Sequence, residues 1–293
     1  MRLTVSVSDC GKPIIAFMAA VVCLSQSALV DGQTPAPSAQ TREQYQQQQR
    51  DKSLELRRNG KSLLNLDDLK NFKRDERTYR DLLRKGVNPR NQAELDALRV
   101  GLRRRILVLS DPETQVDPRD FETANKTLSR ELQNAFSPTL IPDALKRKSF
   151  RELLCREAME LFRQLLKEGN LEARTSGMQR MLDLEVVPAS GRDRIQMFDE
   201  VHTTLINVLT DPEQPEAVRA AAATTLKTYL QKAEAVPQVE LAIAEGLAKE
   251  IDNPLLSAPY QILLLQAMEE VRAPRQVAGA RKAPSSSVRR PKS

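Results

Sequence analysis

Cysteine and histidine can supply a catalytic nucleophile and its base, and this 293-residue chain has three cysteines and one histidine. Cys155 lies in a strongly helical segment, where we predict a small buried apolar side chain. A catalytic thiolate would need a neighbouring base and an electropositive environment. His202 borders the apolar residues Phe198 and Leu205, so we predict a position on the flank of a helix. A single histidine also excludes a histidine-based metal site.

Acidic side chains are numerous, but they are not spaced as a recognisable catalytic pair. Asp67-Asp68 and Glu269-Glu270 are sequence neighbours, and adjacent residues point in different directions on a helix. The chain has no glycine-rich phosphate loop, no Cys/His set with zinc spacing and no GxSxG motif. Asn125-Lys-Thr127 is a glycosylation sequon that falls in the middle of a predicted helix. We therefore expect no metal, no cofactor and no enzymatic activity.

The basic character of the chain comes from residues 272–293. Seven Lys and Arg residues lie there without an acidic one, so the net charge of +6 leaves −1 for all preceding residues. A segment this rich in proline, serine and cations buries too little apolar area to offset its ordering entropy. We predict a disordered tail, either simply solvated or in contact with an anionic partner through its cations: Arg272, Arg275, Arg281, Lys282, Arg289, Arg290 and Lys292. The folded body is not expected to bind nucleic acid.

The first 32 residues resemble a secretory signal peptide. An apolar run of 11 residues extends from Ile14 to Leu24, and small residues then offer cleavage after Ala28 or after Gly32. The run is shorter than the roughly 20 residues of a membrane-spanning helix. Asp9 departs from the usual positive start, which leaves another start codon or an uncleaved anchor as alternatives. We expect an exported protein, periplasmic or extracellular, either free or associated with the envelope.

Residues 33–61 have the composition of a polar linker. Pro35 and Pro37 precede a glutamine-rich tract, Gln44-Tyr-Gln-Gln-Gln-Gln49. We interpret the tract as either a weak solvated helix or a disordered segment.

Helical periodicity fills the rest of the chain, and no strand pair is evident. Within an N-terminal helical segment, residues 62–148, one predicted helix ends at Gly86 and the next begins at Asn91. A further helix begins at Asp117-Pro118. The last two helices have equal apolar stripes and should pack as an antiparallel pair: Leu95, Leu98, Leu102, Ile106 and Leu109, then Phe121, Ala124, Leu128, Leu132 and Ala135. Arg99, Arg103 and Arg104 lie mainly off the first stripe, and we predict a solvated face.

Residues 149–271 are predicted to form further helix pairs. Ser149 and Glu152 have the spacing of a capping box, and Gly169 ends the helix that follows. The other predicted helices are Leu171–Leu184, a helix from Ile195 through Leu209, Ala217–Leu230, Pro237–Ile251 and Ser257–Val271. The apolar run Ile262-Leu-Leu-Leu265 predicts that the last helix is buried on more than one side.

The chain repeats itself. Val108-Leu-Ser-Asp-Pro-Glu113 returns as Val208-Leu-Thr-Asp-Pro-Glu213, and second helices begin near Leu171, Glu213 and Pro254, about 41–42 residues apart. The stretch from Asp211 to Leu226 resembles a HEAT-like (armadillo-type) repeat. The matching residues are Asp211, Pro212, Val218, Arg219, Ala222 and Leu226. The resemblance implies that Asp211 and Arg219 tie adjacent repeats together.

These observations predict an all-α fold of stacked antiparallel helix pairs, a short HEAT-like α-solenoid, with an irregular helical bundle as the alternative. Such stacks present extended surfaces to other polypeptides. The leading hypothesis is an exported, non-catalytic scaffold that binds an unknown protein or peptide. The second hypothesis is attachment to an anionic envelope polymer or membrane surface through the basic tail. An enzyme of unrecognised type that uses clustered carboxylates is the third.

Overall fold

A computed structural model describes residues 38–135, 144–187, 195–233 and 235–271. The predicted signal peptide, the first residues of the predicted linker and the basic tail lie outside the described residues. Within them the chain forms eleven α-helices and a short strand pair, which confirms the all-α prediction. The helices are α1 (Ala39–Arg58), α2 (Leu66–Lys85), α3 (Gln92–Leu107), α4 (Pro112–Val116), α5 (Pro118–Asn134), α6 (Ala144–Glu168), α7 (Leu171–Met181), α8 (Glu200–Thr210), α9 (Glu216–Lys232), α10 (Pro237–Ile251) and α11 (Ala258–Glu269).

Local sequence signals fix several helix ends as predicted. Gly86 ends α2 in the left-handed region, with φ 55° and ψ 40°. The side chain of Asn91 accepts a hydrogen bond from the backbone N–H of Glu94 at the start of α3. Asp117 caps α5 in the same way, and Pro118 occupies its first turn.

The N-terminal helices pack differently from the predicted pairing. The stripe of α3 is buried as expected, with Leu98, Leu102, Ile106 and Leu109 fully enclosed. Its main partners are α2 and α6, however, and its contact with α5 is small. The predicted α3/α5 pair is therefore wrong, because a 3-10 helix at Val108–Ser110 and α4 separate the two helices along the chain.

Two predicted helix starts are also wrong. α6 begins at Ala144, so Ser149 lies inside the helix and is not its N-cap; its hydroxyl accepts a hydrogen bond from Asn88 (2.8 Å). The helix predicted from Ile195 begins at Glu200. Residues 195–197 are extended instead, and β2 (Gln196–Met197) pairs antiparallel with β1 (Glu185–Val187). The β-branched residues Val186 and Val187 favour this extended conformation.

From α6 onward the helices pack as consecutive pairs. α6 packs on α7, α8 on α9 and α10 on α11, and a short turn joins the members of each pair. The second helices lie side by side, with α9 in contact with both α7 and α11. They begin at residues 171, 216 and 258. One continuous apolar core runs through these pairs and into α2 and α3.

The last helix is more exposed than the sequence predicts. Leu264 is fully buried, but Ile262 and Leu265 are 54% and 47% exposed. The prediction of burial on more than one side is therefore wrong for this run. The helix α11 packs against α9 and α10, but these contacts leave Ile262 and Leu265 exposed.

Candidate functional site

Cys155 is buried inside α6 and cannot act as a nucleophile in the native protein. Its side chain has no exposed surface, and burial raises the pKa of its thiol to about 12. The nearby Arg151 opposes this shift without overcoming it. A neutral, enclosed thiol has neither the thiolate character nor the access that nucleophilic attack requires.

We expect Cys155 to resist alkylation by iodoacetamide in the native protein at neutral pH and to react fully after unfolding in guanidinium chloride. Peptide mass spectrometry of the segment that contains Cys155 measures both extents. Val116→Cys provides the matched control, since Val116 is 83% exposed and a thiol there should be alkylated in the native state. Native alkylation of Cys155 at the rate of the control would contradict its burial.

His202 lies on the flank of α8, where it contacts an aromatic ring and a hydroxyl group. Its ring lies 6.1 Å from the ring of Tyr229, and its Nε2 is 3.3 Å from the hydroxyl of Thr203. Burial lowers the pKa of His202 below 6.5, and Asp199 opposes that shift. Burial and Asp199 together raise the pKa of Tyr229 to about 12. This arrangement packs the imidazole of His202 against the ring of Tyr229.

Asp68 of the first carboxylate pair and Asn125 of the sequon both form contacts within the fold. Asp68 completes the capping box at the start of α2 and also receives Arg103 at 2.9 Å. Asn125 donates a hydrogen bond to the carbonyl of Phe121 within α5. Among the described residues, no group of three His, Cys, Asp or Glu side chains could hold a metal ion, and no helix has the length and apolar character needed to cross a membrane.

Two of the three predicted solvated arginines of α3, Arg99 and Arg103, are engaged in ion pairs, whereas Arg104 is half-buried. Arg99 donates two hydrogen bonds to Glu157, both at 2.8 Å, and Arg103 pairs with Asp68 on α2. These contacts join α3 to α6 and to α2, so these two cations serve helix packing.

The candidate site lies where α1 rests on the rest of the protein. The residues predicted to be a linker, with a weak helix as one alternative, form a docked helix of 20 residues. Its inward stripe steps by three and four residues, as on any buried helix face. The stripe consists of Arg42, Tyr45, Gln49, Lys52 and Leu56. Four of these five side chains are not aliphatic, so the docking is largely polar.

The contacts of α1 fall on the N-terminal ends of the three second helices. We call this surface the second-helix edge and define it by Glu172 of α7, Glu213, Glu216 and Arg219 at α9, and Leu256 before α11. Arg57 pairs with Glu172 at 2.7 Å, and Lys52 lies 3.9 Å from Glu213. The amide oxygen of Gln49 accepts from the backbone N–H of Glu216 (2.9 Å), and Arg42 donates to the carbonyl of Leu256 (3.0 Å).

The spacing of these contacts matches the spacing of the pairs. Hydrogen bonds join α1 to the start of α11 through Arg42, to α9 through Gln49 and to α7 through Arg57. These three residues are seven and eight positions apart. At 1.5 Å per residue these intervals are about 10–12 Å, close to the distance between packed helices. The helix α1 therefore contacts one helix pair after another at regular intervals.

A buried polar cluster lies at the centre of the edge. Arg219 is 3% exposed, and one of its terminal nitrogens donates to the carboxylate of Glu250 on α10. Its other terminal nitrogen donates to the hydroxyl of Tyr45 on α1 at 2.8 Å. The guanidinium lies 5.6 Å from the ring centre of Tyr260, and burial together with Glu250 raises the pKa of that tyrosine above its ordinary value. The cluster joins α1, α9, α10 and α11.

The HEAT-like motif residues lie together in and before α9. Val218, Ala222 and Leu226 are fully buried, and Pro212 is exposed in the turn. The carboxylate of Asp211 accepts from the backbone N–H of Glu213 (2.9 Å) and from the side chain of Gln214 (3.3 Å).

Polar links join neighbouring pairs on both sides of α9. Gln214 accepts a hydrogen bond from Arg174 of α7 at 2.7 Å, so Asp211 reaches the preceding pair through that glutamine. Arg219 reaches the following pair through Glu250. Glu216 accepts from the backbone N–H of Ser257 at 3.2 Å and also from its hydroxyl.

Apolar periodicity could not reveal the role of α1. Its inward stripe has Tyr45 and Leu56 near its ends and polar residues between them, so no hydrophobic pattern marks the helix. The signal that was available is the helical spacing of Tyr45, Gln49, Lys52 and Leu56 inside a tract dominated by glutamine.

No known family model matches this chain, and no similar protein is found among curated proteins or solved structures. The HEAT-like resemblance therefore stays a prediction that rests on the sequence itself.

Proposed function

We propose that the protein is an exported, non-catalytic helical-repeat scaffold that binds a protein or peptide. The observation that supports this most is the second-helix edge, which holds a helix of the same chain through contacts at the spacing of the helix pairs. Side-by-side helices of this kind form extended surfaces suited to polypeptide ligands. The complete burial of the Cys155 thiol favours a scaffold over an enzyme that uses this thiol as its nucleophile. We specify the class of the partner, a polypeptide, and do not specify its sequence.

Attachment through the basic tail is the second candidate. It is supported by the seven cations of residues 272–293, against a net charge of −1 for everything before them. Such a tail would attract an anionic polymer or an anionic lipid surface, and the attraction would weaken with salt because exposed charges are screened.

Cross-linked capture from the native envelope separates the two candidates. The matched pair is the unaltered protein and a variant in which the seven tail cations are replaced by glutamine, which preserves the length of the tail. We expect a specific protein to be captured by both forms with the same yield at low and high salt. If capture is lost in the glutamine variant and at high salt, the result would support electrostatic attachment and contradict the scaffold function.

A further inference from the structure

The ion pairs that hold α1 to the second-helix edge are exposed and individually weak. The Lys52–Glu213 pair has side-chain exposures of 31% and 86%, and the Arg57–Glu172 pair has 60% and 34%. Ion pairs this exposed contribute little to stability. The apolar anchors are the half-buried Tyr45 and Leu56, whereas Leu54 is 47% exposed. Segments with few buried apolar contacts open locally at a lower free energy than the core.

The attachment of α1 is also independent of its neighbours in sequence. Its main packing partners are α7 and α9, and its hydrogen bonds to the edge join residues 115 to 214 positions apart. The segment after α1 is fixed separately, since the backbone N–H of Leu63 donates to the hydroxyl of Ser110 at 2.9 Å. The helix can therefore leave the edge while the segment from Leu63 onward keeps its packing.

Undocking would leave a set of polar groups on the edge without partners. Pro215 precedes α9 and offers no side-chain cap, so the backbone N–H of Glu216 depends on Gln49. A terminal nitrogen of Arg219 depends on Tyr45, and the Nε of that arginine has no hydrogen-bond partner among the described residues. These groups face water while the edge is open, and a ligand that covers them again without partners would incur a cost. The edge therefore favours a ligand that supplies the hydrogen bonds of α1.

We propose that the second-helix edge is the partner-binding surface and that α1 is its resident competitor, displaced by a helical segment that carries cationic and amide side chains seven to eight residues apart. This inference rests on the proposed scaffold function. The acidic groups that a cationic partner helix would meet are Glu172 and Glu213, both already paired with cations of α1. Glutamine or asparagine at the central position would cap α9 as Gln49 does.

The probe for this proposal is a fluorescent synthetic peptide with the sequence of residues 39–58. A tethered segment competes with an effective concentration in the millimolar range, so the unaltered full chain should bind the peptide poorly at micromolar concentrations. The double variant Arg42→Ala/Gln49→Ala weakens the resident helix and leaves every residue of the edge intact. We expect this variant to bind the peptide at least about tenfold more tightly than the unaltered chain, measured by fluorescence anisotropy.

Two controls keep the result specific. A peptide of the same composition with its contact residues shifted out of the seven-to-eight spacing should not bind the variant. Hydrogen exchange of the unaltered chain should show the amides of α1 exchanging at least about 100-fold faster than those around Leu226 in α9. Equal protection of the two helices, or equal binding of the two peptides, would overturn the proposal. If the protein fails this peptide test but still captures a partner from the envelope, the scaffold function stands. The partner then binds somewhere other than the second-helix edge.

Discussion

Replacement of Arg219 by alanine is expected to destabilise the protein by about 3–5 kcal/mol, because it leaves the carboxylate of Glu250 buried without a counter-charge. Arg219 is 3% exposed, and the side chain of Glu250 is 9% exposed. The same substitution removes the donor to Tyr45 and the cation beside Tyr260. Chemical denaturation of the full chain measures the change in the free energy of unfolding.

The double variant Arg219→Met/Glu250→Leu is the informative comparison. Removal of both charges eliminates the desolvation penalty together with the attraction, so most of the lost stability should return. The hydrogen bond to Tyr45 stays absent in both variants. A loss below about 1 kcal/mol for Arg219→Ala would mean that water reaches Glu250 and that the cluster is not sealed.

Alanine in place of Gly101 is expected to destabilise the protein by about 1–3 kcal/mol, although the same change in an exposed helix interior usually stabilises by about 1 kcal/mol. Gly101 lies in α3, and a Cβ atom there would overlap the ring atoms of Tyr79 on α2. That ring has little freedom to move. Its hydroxyl donates to Glu131 at 2.9 Å, and the ring packs in a T-shaped contact with Phe72 at a centroid distance of 6.2 Å.

Gly246→Ala serves as the matched control for this prediction. It is also a buried helical glycine, but its added Cβ would lie 3.1 Å from the nearest atom, a methyl carbon of Ile206. We expect a smaller change in unfolding free energy than for Gly101→Ala. A stabilised Gly101→Ala variant would mean that α2 and α3 can separate without loss, contrary to their close packing.

Apolar stripes and capping residues were sufficient to predict most helices and several of their ends. Leu98, Leu102 and Ile106 are fully buried in α3 as their spacing predicts, and Gly86 ends α2 in the conformation that glycine favours. The signals failed where tertiary contacts decide the conformation. Residues 196–197 are extended because β1 offers them a partner, a pairing that no local pattern indicates.

The candidate site was harder to predict than the fold. Arg219 could be singled out through the HEAT-like motif, but its partners lie 31 and 174 positions away in sequence. A glutamine-rich tract carries no apolar periodicity, so its docking on three helix pairs depends on geometry that exists only in the folded chain. Exposure of Ile262 and Leu265 was missed for a related reason, since an apolar run does not reveal how many neighbours will cover it.

The distance in sequence between α1 and the second-helix edge also sets an order of events during synthesis. The amino-terminal part of a chain leaves the ribosome first, and α1 precedes Leu256 by about two hundred residues. An isolated polar helix of 20 residues is marginal in water. The segment can therefore dock as a stable helix only after its main packing partners, α7 and α9, have been synthesised. The contact of Arg42 becomes possible only when Leu256 has been synthesised, so complete docking of α1 is a late step of folding.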